Sequence, residues 1–241
     1  MHRPAILLIL SMAAGCAPLP VARPEGSREP LRAGLGSLAT LEVRATPIEG
    51  DLPLDAPQLV SLVLVAPSGE ERALSGAWIG GVSFDGAAAV LAPDRRLLRV
   101  DLQNEEPLAE HVTLLPVVSE DGAHLAFAVS EDGLVGELHV VDALGQRVVA
   151  AGLNSIGALA FSPDGRHIAF VGARSGVPGS ATEGSGIAGV WLADARGLDE
   201  VRCLTNCPGQ NPTPLPASPL VFEGRALSWT DADGAPHEVA P

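Results

Sequence analysis

The chain has 241 residues, 46% of them hydrophobic, and its 29 acidic against 15 basic side chains leave a net charge of −14. Apolar content at that level, gathered in Val, Leu and Ala runs, excludes a disordered chain. The acidic balance repels phosphate backbones and so excludes nucleic acid as a partner, while aromatic residues at 3% leave the packing to aliphatic side chains.

At the amino terminus, His2 and Arg3 precede an apolar run from Ala5 to Leu10, and the small residues of "SMAAGC" lead to Cys16. The pattern resembles a bacterial lipoprotein signal peptide and its lipobox, with Ala13 where such boxes usually carry Leu. A segment of 15 residues is too short to span a bilayer, which takes about 20 apolar residues. The resemblance implies cleavage before Cys16 and lipidation of that residue, giving a membrane attachment through acyl chains worth about 0.8 kcal/mol per buried CH₂. Ala17, not Asp, follows the anchor, which by analogy with enterobacterial sorting implies the outer membrane. Residues 16–37 are rich in Pro, Gly, Arg and Glu and read as the lipidated Cys and a flexible tether. Residues 38–241 form the folded domain.

Three strands are expected in residues 38–75, from "LATLEVRA", "QLVSLVLVA" and "ERALS". Three similar units follow, each opening on a hairpin whose turn contains an Asp-Gly pair: Asp85 with Gly86, Asp121 with Gly122, and Asp164 with Gly165. The aspartates lie 36 and 43 residues apart, and the Gly/Ser-rich stretch 174–186 follows the third hairpin. After each hairpin comes a third strand ("RLLRVDLQN", "ELHVVDALGQ", "GVWLADARG") and a weaker fourth ("PLAEHV", "RVVAAGL", "EVRCLTN"). About three more strands fill the tail around "VFEGRALSW". A period of about 40 residues holding four short strands is the pattern of propeller blades, so the reading is an all-β chain, a β-propeller of four-stranded blades, about five in number and some degenerate. A β-sandwich is the rival fold, but it does not predict a repeat of this length.

The stretch "FSPDGRHIAF" shows the turn chemistry in full. Pro163 supplies φ for the second position of a type I turn, Ser162 and Asp164 offer short side-chain oxygens to nearby amides, and Gly165 takes positive φ. Followed by a strand and then "EVRCLTN", the unit resembles the repeat of TolB-like, WD-repeat-like β-propellers, which carry S-P-D-G between their first two strands. Only this third unit matches closely; the other two replace Ser-Pro with Ser-Phe and Ser-Glu. The resemblance covers roughly residues 76–231 and implies protein partners at the cell envelope.

With Cys16 assigned to lipid, Cys203 and Cys207 remain, and an oxidising compartment favours joining them. A metal or redox pair would call for a two-residue spacing and a neighbouring His, and neither is present. Catalytic signatures are sparse. "GSGIAG" at 184–189 fits G-x-G-x-x-G but precedes a strand, whereas a dinucleotide site needs it to open a helix. "DADG" at 231–234 lacks the spaced ligands of a calcium loop. Ser155, Ser162, Asp164 and His167 invite comparison with a triad, but turn formation already accounts for them. The expectation is therefore no catalytic residue, no metal site and no cofactor.

Function is then sought in the loops, because propellers present recognition there: residues 174–186 and the Pro-rich 206–219. Trp191 and Trp229 follow the strand pattern as packing residues. The reading is a membrane-anchored, non-catalytic interaction module with an unidentified envelope protein as partner. The alternatives are a ligand-binding or hydrolytic propeller using the central channel, favoured by clustered carboxylates and His at one mouth, and a purely structural envelope protein.

Overall fold

The computed structural model describes residues 41–48, 59–131, 136–174, 188–207, 213–224 and 226–240. Cys16, the signal segment and the tether therefore lie outside the described residues, as do residues 175–186 and 208–212 of the two candidate loops. Among the described residues, no helix is long and apolar enough to cross a membrane.

Among the described residues seventeen strands form antiparallel meanders. A three-stranded sheet holds β1 (Glu42–Pro47), β2 (Val60–Val65) and β3 (Glu71–Ala73). A four-stranded sheet follows, with β4 (Gly80–Phe84), β5 (Ala87–Leu91), β6 (Leu97–Val100) and β7 (Glu105–Ala109). The next seven strands run on as one sheet: β8 (Val117–Val118), β9 (Leu125–Val129), β10 (Gly136–Asp142), β11 (Gly145–Phe161), β12 (His167–Arg174), β13 (Ala188–Asp194) and β14 (Arg202–Cys203). The last sheet has β15 (Val221–Glu223), β16 (Ala226–Thr230) and β17 (Pro236–Val239).

The seven-stranded sheet is two blades joined by one long strand. The first half of β11, up to Leu153, pairs with β10, and its second half, from Leu153 onward, pairs with β12. Gly152 at φ +71° and two register shifts between Leu153 and Leu159 let the strand change partners without breaking. A residue with a side chain is disfavoured at that backbone angle. Among the described residues the count is thus five successive blades, with three strands in the first and last and four in each of the middle three.

Packing follows from the two-residue period of the strands. In β5, Ala88 and Val90 face the first blade, while Ala89 and Leu91 face the third. In β12, Ile168 and Phe170 face the third blade and Ala169 faces the fifth. Central strands are buried on both sides, so they read as unbroken apolar runs. The result is four core clusters, one between each successive pair of blades, with Phe127 and Phe170 among the largest fully buried side chains. Trp78, Trp191 and Trp229 each fill one of these inter-blade layers.

The terminal blades differ. Leu62 and Leu64 in the first and Leu227 and Trp229 in the last point inward. Their other faces carry exposed Glu42, Arg44, Thr46 and Ser61, and Val221, Glu223 and Glu238. Among the described residues no core cluster joins the fifth blade to the first.

Candidate interaction face

In a meander, the turn after the first strand of a blade and the turn after its third strand lie at one end, while the second-to-third turns and the crossovers between blades lie at the other. The Asp-Gly turns therefore share an end with the turns at Asp142 and Asp194.

Two of the Asp-Gly turns are the same device. Ser119 Oγ donates to Asp121 Oδ1 at 2.5 Å and accepts from His124 N at 2.9 Å. Ser162 Oγ donates to Asp164 Oδ1 at 2.6 Å and accepts from His167 N at 3.0 Å. Gly122 and Gly165 close the turns at φ +73° and +67°. The Ser162 hydroxyl holds the Asp164 carboxyl below the usual carboxylate range. For Asp121, burial works the other way, but the Ser119 hydroxyl and the Ala123 amide outweigh it and the carboxyl is again lowered. Ser162, Asp164 and His167 are thus committed to the turn, with His167 contributing its backbone.

Asp85 and Gly86 behave differently although Ser83 keeps the Ser-x-Asp-Gly spacing. Phe84, in the place of Pro163, is 3% exposed and continues the strand to the Phe84–Ala87 pair. Only two residues remain for the reversal, and Asp85 and Gly86 both take positive φ, 46° and 71°, as a tight hairpin requires. Ser83 Oγ donates instead to the Leu41 carbonyl of the first blade. The three turns still touch in sequence round the ring: Asp85 N donates to Gly122 O, and Gly165 packs on His124.

Beside them, Arg147 ties two third-to-fourth-strand turns together. Its guanidinium holds Asp142 at 2.6 and 3.0 Å and donates from Nε to the Ala195 carbonyl at 2.9 Å. Arg147 lowers the Asp142 carboxyl, and His124 Nδ1 lies 3.2 Å from the same carboxylate. In the neighbouring turn, Arg196 holds Asp194 at 2.8 Å and pulls its pKa down to about 2.

At the tips of these joined turns stand two apolar side chains in open solvent, Leu144 at 91% and Leu198 at 72% exposure, with half-exposed Val148 beside Gly197. Next to them runs a groove of about 400 Å³ lined by residues 148–151 of β11 and by Asp199, Glu200 and Val201. Over residues 145–151, β11 pairs with β10 on one side, and among the described residues no strand pairs with its other side. The sequence does contain the signal for this rim: "DALGQ" and "DARGLD" each place a Leu in or beside a turn, where polar residues are the rule.

Cys203 and Cys207 form a disulfide with Cα atoms 5.7 Å apart. Just beyond, Asn206 holds the Thr213 amide and carbonyl at 2.5 and 3.0 Å and the Ala188 carbonyl at 2.9 Å, which fixes the described ends of the Pro-rich segment against β13. Among the described residues no cluster of three or more His, Cys, Asp or Glu side chains has the arrangement of a metal site.

The blades and their packing define the chain as a β-propeller. No family model matches the sequence, and no curated protein matches it either. Among solved structures it is similar to Kuenenia stuttgartiensis hydrazine synthase, at 14% identity and a TM-score of 0.49, over 74% of this chain and 62% of that one. It is similar also to TolB from Acinetobacter baumannii, at 17% identity and a TM-score of 0.40, over 84% of this chain and 63% of that one. The β-propeller domain of Cps50 (Swd1) from Myceliophteria thermophila matches at 13% identity and a TM-score of 0.46, over 75% of this chain and 62% of that one. The chain thus spans less than two thirds of each of these structures.

Proposed function

We propose that this protein is a non-catalytic interaction module of the bacterial cell envelope, a TolB-like propeller lipoprotein tethered through Cys16 to the outer membrane, whose third blade receives a segment of a partner protein. One observation carries the reading: Leu144 and Leu198 stand in solvent on joined turns beside a groove with an open strand edge. An extended peptide adds to such an edge through its backbone and places alternate side chains on the apolar rim. Asp199 and Glu200 in the groove suit a basic residue in that peptide. The commitment of Ser162, Asp164 and His167 to turn closure supports binding over hydrolysis.

The test places a photo-crosslinking residue at position 144 or 198 of the exported protein. The expected product is one envelope partner, lost in Val148→Glu, together with release from the membrane fraction in Cys16→Ser. If no product forms at either position, or if the product survives Val148→Glu, the rim is not the contact surface.

A further inference from the structure

At the opposite end of the ring a cavity of about 210 Å³ opens where three blades meet, lined by Arg95, Thr113, Ser130, Leu153, Asn154 and Ile156. Arg95 belongs to the β5–β6 turn of the second blade, and Thr113 to the crossover into the third. Ser130 follows β9, and the other three lie where β11 passes from the third blade to the fourth.

Arg95 is out of keeping with its own turn. The sequence Ala92-Pro93-Asp94-Arg95 folds like Ser162 to Gly165, with Arg95 N donating to the Ala92 carbonyl at 3.0 Å as Gly165 N does to Ser162 at 2.9 Å. The final residue takes φ +69° in one and +67° in the other. Glycine adopts that angle without steric penalty, and an arginine does not. Its carbonyl accepts from Val112 N at 2.9 Å, which fixes the turn against the crossover. Arg44, Arg72, Arg96, Arg99, Arg147 and Arg196 each hold a carboxylate, while exposed Arg166 and Arg202, like Arg95, are in no ion pair among the described residues. Among the described residues none pairs with the Arg95 guanidinium. A strained, unpaired cation held at the rim of a cavity is the arrangement found where backbone strain serves a binding site.

We propose that this cavity binds a small aliphatic carboxylate, its head group on Arg95 and its tail on Leu153 and Ile156. The planar guanidinium presents a fork that matches a carboxylate. Thr113, Ser130 and Asn154 supply hydroxyl and amide groups around the head. The volume corresponds to roughly seven waters at liquid density, which suits a tail of about five carbons.

The experiment uses the full chain at constant ionic strength, with thermal unfolding followed against hexanoate, hexanamide and inorganic phosphate. Hexanoate raises Tm saturably, and hexanamide and phosphate do not. Arg95→Gly, which relieves the left-handed strain at an exposed site, raises Tm without ligand by about 2 °C and weakens the hexanoate response by about tenfold or more. Arg95→Lys keeps the charge and loses the fork, so its response lies between the two. The proposal is overturned if hexanoate gives no saturable shift, if hexanamide or phosphate acts as strongly, or if Arg95→Gly responds like the native protein.

Discussion

Replacing Ser162 with alanine tests the turn that repeats through the fold. The serine is 7% exposed, and its hydroxyl both accepts from His167 N at 3.0 Å and donates to Asp164 at 2.6 Å. Alanine leaves the backbone N–H of His167 without that acceptor in a half-buried place, at about 1–2 kcal/mol. The Asp164 carboxylate is exposed and recovers water, so its share stays below about 0.5 kcal/mol. The expected loss is about 1.5–2 kcal/mol, or roughly 3–8 °C in Tm for a domain of this size. Urea unfolding followed by tryptophan fluorescence reads it as a lower midpoint at unchanged slope. Ser119→Ala removes the same pair of bonds, at 2.9 and 2.5 Å, from a site 4% exposed, and costs the same within about 0.5 kcal/mol. Ser68→Ala, which loses a single exposed bond of 3.4 Å, is the control and moves the midpoint little. If Ser162→Ala unfolds like the native protein, or if the two buried serines differ by more than about 1 kcal/mol, the turns are not one repeated device.

Three further substitutions probe the sheet and its acid response. A Cβ at Gly189 would stand 2.3 Å from the Thr205 carbonyl oxygen, so Gly189→Ala costs about 3 kcal/mol. At Gly157 it meets Val171 at an ordinary 3.7 Å, so Gly157→Ala stays within about 0.5 kcal/mol of the native protein or gains; equal urea midpoints for the pair would contradict this. Asp194, with its pKa held at about 2 by Arg196, adds stability that is present above the unfolded value of about 3.9 and is lost as pH falls toward 2. Asp194→Asn is therefore less stable at pH 6 and loses less between pH 5 and pH 2 in urea titrations, and a parallel pH profile would show that the pair contributes nothing.

The ring was legible because its strands are buried on both faces. The runs around Ala126, Ala169 and Val190 needed no alternation to read as strands, and Asp85, Asp121 and Asp164 marked the period. The continuity of β11 was not legible: between Val148 and Phe161 the apolar text is interrupted by Gly152, Asn154, Ser155 and Gly157, residues that suit a turn between two strands as well as a bend within one. The difference at Asp85 was likewise hidden, since Ser83 keeps the spacing and only the burial of Phe84 diverts it. The apolar rim was written in the sequence as Leu144 and Leu198, but its meaning depends on Arg147 bringing two turns together across 48 residues. Nothing local marks Arg95 as left-handed, because Pro93 and Asp94 permit the turn with any residue after them.

The polar outer faces of the first and fifth blades make the molecule, energetically, closer to a capped stack than to a wheel. Among the described residues each inner blade is held by two apolar interfaces and each terminal blade by one, so unfolding begins at the ends and moves inward as in repeat proteins. Amide hydrogens should then exchange in that order, first from β1 and β17 and last from β9 to β13, by sub-global opening. A chain built so can let an end blade loosen while the third and fourth blades keep their shape.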